Sequence, residues 1–554
     1  MAFTELLGLV GDRGRFQTLQ IITLLLPSVL IPSHLLLENF TAASPGHRCW
    51  APTLDNSSSR VLANLSLGAL LNVSIPPGPH GAPQRCRRFQ RPQWQLLDPN
   101  APAANWSEAA TEPCVDGWVY DRGTFTSTTV TQWNLVCQFE HLKPLGQSVY
   151  MAGILLGSTV WGLLSDRFGR KLPLSWCCLQ MALSSTSAIF APSFLVYCGL
   201  RFLDAFALAG VIMTSTTLKP SGTPISQSRV NCLAREHMSF PTLTAAGRST
   251  AHHASPPPPP EGAEQAKTQL AACFLSRWLP ESARWLITVG KSDRALQELK
   301  KVARINGHKE AYKTLTIEVL TSSMQEELAS AKTSPSVLNL FRLPVLRRRT
   351  FGLLVVTFSL TFSYYGLVLD LQNLGSDVFL LQVLFGAVDF LGRAATPLLL
   401  KFFGRRLTLA STNSLAGVSI LANVLVPQDL QALRLVLAVL GKGCFGISLT
   451  CYALYRTELF PTSLRMTAEG LLQTASRLGG VMGPLIKMTR QTLPLLPPLS
   501  YGVMPIASSF LLLLVPETQG LPLPDTVQSL ERQKKSRPAW GDQQEVVSTV
   551  STRL

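Results

Sequence analysis

Residues 162–171, GLLSDRFGRK, decide how this chain is read. An apolar run of span length closes on them, and another opens just beyond. A helix crossing a ~30 Å hydrocarbon core needs about 20 apolar residues. Asp166 and Arg167 begin a charged turn, Gly169 permits the chain to reverse, and Arg170 with Lys171 leads into the next run. Gly162 is expected to allow close helix approach. Such a basic turn between two spans belongs on the cytosolic side, where Lys and Arg accumulate.

The rest of the sequence extends this reading. Of 554 residues, 46% are hydrophobic and only 15% charged, against about 25% charged in soluble domains. The net charge of +16 lies in connections between apolar runs, which fits a bilayer and not a nucleic acid as partner. Apolar runs place spans at about 17–37, 145–165, 172–191, 194–217, 350–370, 377–400, 407–427, 432–455, 466–488 and 500–515. The first lacks an A-x-A-like cleavage site and reads as a signal-anchor. No Walker motif, metal cluster or nucleophilic triad is present, so no enzyme activity, cofactor or metal is expected.

Residues 39–143 form one polar block. It holds Cys49, Cys86, Cys114 and Cys137, for which three pairings exist, and N-x-S/T acceptors at Asn39, Asn56, Asn64, Asn72 and Asn105. Together they indicate an oxidising, extracellular loop. Asn39 lies so close to the membrane that glycosylation there is the weaker reading. With this loop outside, both termini and residues 218–349 are cytosolic. Within them, KSDRALQELKKVARI (291–305) spaces Ala295, Leu296, Leu299, Val302 and Ile305 as one helical face, to lie on the membrane or pack under the bundle.

The turn at 162–171 resembles the signature loop of the major facilitator superfamily. PLLLKFFGRR (397–406) is a degraded second copy, with Lys401 in place of the acid. LPESARWL (279–286) and VPETQGLPLPDT (515–526) echo one another in the same way, as expected of an internal duplication. ELFPTSLRMTAEG (458–470) and the cysteine-bearing loop are similar to the organic anion transporter branch of the organic ion transporter family. This resemblance covers residues 1 to about 217 and about 273 to 554. It implies an all-α membrane protein of twelve helices in two six-helix halves.

Only ten spans are legible, because residues 218–272 stand where the fifth and sixth family helices belong. That segment is polar, carries PPPPP at 256–260, and reads like translated non-coding sequence. The organisation is then 1–38, N-terminus and first span; 39–143, extracellular loop; 144–217, spans two to four; 218–272, the replaced segment; 273–349, cytosolic loop; 350–516, spans seven to twelve; and 517–554, a cytosolic tail.

Charges within spans are costly and suggest function. Arg477, with Gln473 one turn before it, has no local counter-ion, and the resemblance makes it a substrate-anion contact. Asp389 and Arg393 are spaced to pair with each other or to line the cavity. Tyr364, Tyr365 and Phe362 are aromatic cavity candidates by resemblance, against core packing as the alternative. Arg201 and Asp204 resemble a family charged pair with a structural or gating role, as do Glu458 and Arg465 in the second-half loop. The C-terminal Ser-Thr-Arg-Leu offers Thr552 and Leu554 to a PDZ-domain scaffold. The resemblance implies a plasma-membrane antiporter that exchanges small organic anions, such as steroid sulfates or urate, for intracellular dicarboxylates by alternating access. The alternative is a transport-defective isoform, or a transcript read through an intron, serving at most as a non-transporting membrane interaction protein.

Overall fold

The structure is a computed structural model. It describes residues 14–20, 23, 34–35, 38–56, 66–78, 83–97, 110–123, 127–218, 273–274, 279–308, 312, 314–318, 320, 338–342, 344–369, 378–427 and 429–519. Most of the expected first span, nearly all of 218–272, and the tail with Thr552 and Leu554 lie outside these residues, as do Asn64 and Asn105.

Long helices dominate. They are α1 (Leu142–Phe168), α2 (Lys171–Ile189), α3 (Phe194–Thr217), the shorter α4 (Ser292–Asn306), α5 (Pro344–Val368), α6 (Val378–Leu425), α7 (Gln431–Leu459), α8 (Thr462–Lys487) and α9 (Leu496–Leu513). Among the described residues, six helices are long and apolar enough to cross a membrane. The α6 segment is long enough to cross twice. It contains both expected spans, and its helical geometry breaks at Gly404, whose φ is +77°. The expected spans at 172–191 and 466–488 are the helices α2 and α8, which are not among the six. In α8 the reason is a polar face that carries Glu469, Gln473 and Arg477.

Helices α1, α2 and α3 pack as one group around Tyr150, Ile154, Leu174 and Leu208. The helices α5 to α9 form a second core around Phe362, Phe445, Tyr455 and Leu512. α1 meets α8 across the boundary, where Tyr365 and Val481 pack on the first core.

Glycine placement corrects one expectation. A Cβ at Gly162 would meet nothing within 4 Å among the described residues. The close approach lies about one and a half to two and a half turns earlier. A Cβ at Gly153 would stand 2.5 Å from the Phe202 carbonyl oxygen and 2.9 Å from Ala205 Cβ, and Gly157 abuts the Phe206 backbone. Gly153→Leu is therefore expected to abolish monodisperse protein in size-exclusion chromatography, whereas Gly162→Ala should elute as the parent does.

The block 39–143 is built on two short antiparallel pairs. β1 (His47–Cys49) pairs with β4 (Trp118–Tyr120), and β2 (Arg87–Phe89) with β3 (Thr111–Pro113). The disulfides are Cys49–Cys114 and Cys86–Cys137, which selects one of the three pairings. Asn56 and Asn72 are exposed. Gln491, in the turn after α8, donates to the Cys137 carbonyl at 3.0 Å and so joins this block to the second helix group.

Between α3 and α5, α4 buries Ala295, Leu299, Val302 and Ala303 against Leu286, Ile287, Leu315, Leu320 and Phe16. Ile305 departs from the expected face and is 45% exposed. The helix packs on its own loop and the N-terminal segment. The two borders of the 218–272 segment are anchored. Gln20 donates to the Leu218 carbonyl at 2.8 Å, and the Cys273 thiol contacts the Ser175 carbonyl at 3.5 Å.

Candidate functional site: a cationic cleft between two helix groups

The turn that opened the sequence reading is a clasp. Gly169 has φ +95°, which favours glycine. The Glu281 carboxylate accepts from the Arg170 and Lys171 backbone N–H groups at 2.8 and 3.1 Å, satisfying donors at the start of α2. Trp285 Nε1 donates to the Asp166 carbonyl at 2.8 Å, and the Asp166 carboxylate pairs with Arg170 at 3.0 Å. Arg167 lies over the Phe168 ring. The second group repeats this arrangement. Glu517 accepts from the Arg405 and Arg406 N–H groups at 3.0 and 2.9 Å beside Gly404. Glu458 adds an ion pair to Arg405 at 3.2 Å and accepts from Thr518 at 2.6 Å. Arg465 donates to the Phe460 carbonyl and closes the loop before α8. The sequence repeat is thus also a repeat of geometry.

Burial opposes ionisation of Glu517, but backbone donors at Arg405, Arg406, Thr518 and Gln519 outweigh it and hold its pKa below the usual glutamate value. A depressed folded pKa contributes stability that is complete above the unfolded value of about 4.3 and is lost as pH falls through the folded one. The melting-temperature gap between the parent and Glu517→Gln should therefore narrow on acidification below that range. A constant gap would show that the charge is not what the clasp uses.

Toward the middle of the bundle, α8 carries Arg477. The side chain is deep in the bundle yet not closed off, as on a cavity wall. Among the described residues no hydrogen bond or ion pair reaches it, and its one marked electrostatic neighbour is Tyr365. A Cβ on Gly480 would sit 3.3 Å from the Tyr365 ring and 3.8 Å from Met151 Sδ of α1. The cation thus lies where the two helix groups meet. Gln473 is not its partner; it donates to Glu469 at 3.2 Å, and Glu469 pairs with Arg456 at 2.7 Å.

The second cluster joins three helices. Arg393 contacts Asp389 Oδ2 at 2.9 Å, so the i,i+4 pair forms. Lys442 of α7, buried within the bundle, approaches Asp389 Oδ1 at 3.3 Å and donates to the Tyr364 hydroxyl at 3.1 Å. Its ammonium lies 4.4 Å from the Tyr364 ring centroid. Tyr364 and Tyr365 meet edge to face at 5.4 Å, linking this cluster to Arg477. Phe362 is instead a core residue, 2% exposed and packed on Tyr501 and Phe358. Lys442 was missed in the sequence, although a lysine inside GKGCFG, within a span, carries the same signal as Arg477. Two cations share one carboxylate here, and Arg477 adds a third cation. In the first group, Arg201 and Asp204 do pair, at 3.4 Å, and His34 joins them.

Comparison with known proteins decides the family. The chain is 60% identical to solute carrier family 22 member 11 of Homo sapiens, with all of both chains covered. It is 50% identical to member 12 of the same species, over 98% of each.

The chain belongs to solute carrier family 22.

It is a membrane transporter of the organic anion transporter branch of the major facilitator superfamily, and it is not an enzyme. The human steroid transmembrane transporter SLC22A24 is 43% identical, over 97% of each chain. The family model for sugar (and other) transporters matches residues 265–528, and that of the Major Facilitator Superfamily matches 140–225. The partially occluded inward-open xylose transporter XylE from E. coli superposes with a TM-score of 0.56 at 14% identity, over 92% of this chain and all of XylE. Its inward-open form gives 0.54 at 16% identity, over 70% and 89%. These two show the fold, which is that of the family 22 expectation.

Proposed function

We propose that this family 22 protein binds small organic anions at Arg477 and carries them across the plasma membrane by alternating access, in exchange for an intracellular dicarboxylate. The observation that carries the reading is the Arg477 guanidinium beside Tyr365 at the boundary of the two helix groups, with no hydrogen bond or ion pair among the described residues. A cation without a protein counter-ion in low dielectric selects a carboxylate or sulfate, and its planar fork suits either. The neighbouring tyrosine rings suit the flat apolar body of a steroid sulfate or of urate, and relatives include steroid transporters. Lys442 and Arg393 bring two further cations to the same part of the bundle, both in contact with Asp389.

The twin clasps brace the cytosolic turns while the helix groups rock about the cleft. The extracellular block then lies outside, both termini inside, and the C-terminal Thr552 and Leu554 are presented to a PDZ domain. Cells expressing the chain are expected to take up labelled estrone sulfate saturably, and Arg477→Ala to lose that uptake.

A second reading rests on residues 218–272. Its polar composition contains no run that could cross a bilayer, and the two matched family models leave 226–264 between them. On this reading the protein reaches the membrane and binds anions but does not translocate them. Equilibrium binding of estrone sulfate to the purified chain, without uptake by cells that display it, is the outcome that separates the two.

A further inference from the structure

Gln147 of α1 is 3% exposed, and neither its Oε1 nor its Nε2 has a hydrogen-bond partner among the described residues. A side-chain amide offers two donors and an acceptor, and burying them unmet costs the fold their desolvation. Where the amide points follows from its neighbours on α1. Tyr150, Gly153 and Gly157 face α3, against Arg201, Phe202 and Phe206. Met151 faces Gly480 of α8, which also meets Tyr365. Leu156, Val160 and Leu163 are exposed on the other side of the helix. At about 100° per residue, Gln147 stands one turn before Tyr150 and Met151, directed between them and away from the exposed stripe. It is therefore aimed at the boundary of the two helix groups. α1 and α8 run antiparallel, since Gln491 after α8 reaches the Cys137 carbonyl just before α1. From the Met151–Gly480 contact, Gln147 lies one way and Arg477 the other, about 10 Å apart along the bundle at ~1.5 Å per residue.

We propose that Gln147 is the second, neutral pole of the anion cleft and reads the far end of an elongated substrate. The proposal rests on the reading that Arg477 holds the anionic end. A carbonyl at the far end accepts from Nε2, and a hydroxyl donates to Oε1. The substrate class narrows accordingly. It is organic anions with a carboxylate or sulfate at one end and a carbonyl or hydroxyl at the other, separated by a body of the order of a steroid nucleus. An anion whose far end is bare hydrocarbon leaves the amide unmet in the complex and is selected against. The uncharged amide does not compete with Arg477 for the anionic group. Charge selects the class, and the amide selects within it.

The test compares equilibrium binding of two sulfates to the purified full chain: estrone sulfate, and the same steroid sulfate with its ring ketone removed. The parent should bind the ketone about 10-fold more tightly, which is what one well-made hydrogen bond contributes. Gln147→Leu should bring that ratio close to one, chiefly by weakening estrone sulfate. It should also raise the melting temperature of the ligand-free protein, because the unmet amide is gone. Should the leucine variant not fold, Gln147→Met is read in the same way. Arg477→Gln acts on the other end of the ligand, so it should weaken both sulfates and keep their ratio. Equal affinity of the parent for the two sulfates, or a ratio that survives in the apolar variants, overturns the proposal and leaves the Arg477 reading standing. A lower melting temperature in both apolar variants overturns it as well, since the amide then has a partner within the protein. If neither sulfate binds the parent, the anion reading falls and this proposal falls with it.

Discussion

Arg477→Gln is expected to weaken binding of labelled estrone sulfate to the purified protein by about 30- to 100-fold. A hydrogen bond to a charged group contributes about 1.5–3 kcal/mol, and the low dielectric around Arg477 places it at the upper end. At ~1.4 kcal/mol per tenfold change, 2–3 kcal/mol gives that range. Arg477→Lys keeps the charge but loses the planar fork, so it should fall between parent and Gln. The same substitution should raise the melting temperature of the ligand-free protein. A deep cation with no ion-pair partner among the described residues is a cost to the fold, and Gln removes it. Opposite signs for affinity and stability are what a binding residue produces. A structural arginine would lose both, and that result would falsify the assignment. Scintillation-proximity binding and a thermal melt on the same preparations give the two numbers.

Asp389→Asn is the second large effect. It is expected to destabilise the protein by about 3–5 kcal/mol, the usual cost of leaving a buried charge without its partner. Two cations converge on this carboxylate from different helices, Arg393 at 2.9 Å and Lys442 at 3.3 Å. Without it they repel each other inside the bundle. The double variant Asp389→Leu, Lys442→Met removes the carboxylate together with one cation, and most of the lost stability should return. Anion affinity should not return, because Tyr364 then loses the ammonium that fixes its hydroxyl. Thermal melts of Asp389→Leu, Lys442→Met and the double variant close this cycle, with Asp389→Asn beside them. A double variant no more stable than Asp389→Asn would show that Lys442 is not the stranded charge.

Much of this was legible in the sequence, and the gaps have physical causes. GLLSDRFGRK pointed to the turn between α1 and α2 because a charged, glycine-bearing reversal between two apolar runs has few alternatives. The partner of that turn, Glu281, could be suspected only from the echo of LPES and VPET, since the contact joins residues about a hundred apart. The four cysteines announced an oxidised loop, but pairing depends on which strands meet, and three-residue strands leave no periodicity to read. Arg477 stood out because its surroundings are small and apolar. Lys442 carried an equal signal and was passed over. His34 was missed for a different reason, since a histidine at the end of an apolar run is electrically silent until its neighbours are known. Gly162 misled because a glycine in a span does not reveal which face meets a neighbour. Gly153 and Gly157 lie on that face.

The anchored borders of the 218–272 segment have a consequence for protein engineering. Leu218 is held by Gln20 and Cys273 lies against Ser175, while the Glu281 clasp engages the α1–α2 turn downstream of both. The frame on either side is held by contacts among the described residues. The segment is therefore a cassette with both ends seated. Two apolar helices of the family could be spliced between those seats, and the graft would inherit their registration without a change elsewhere in the chain.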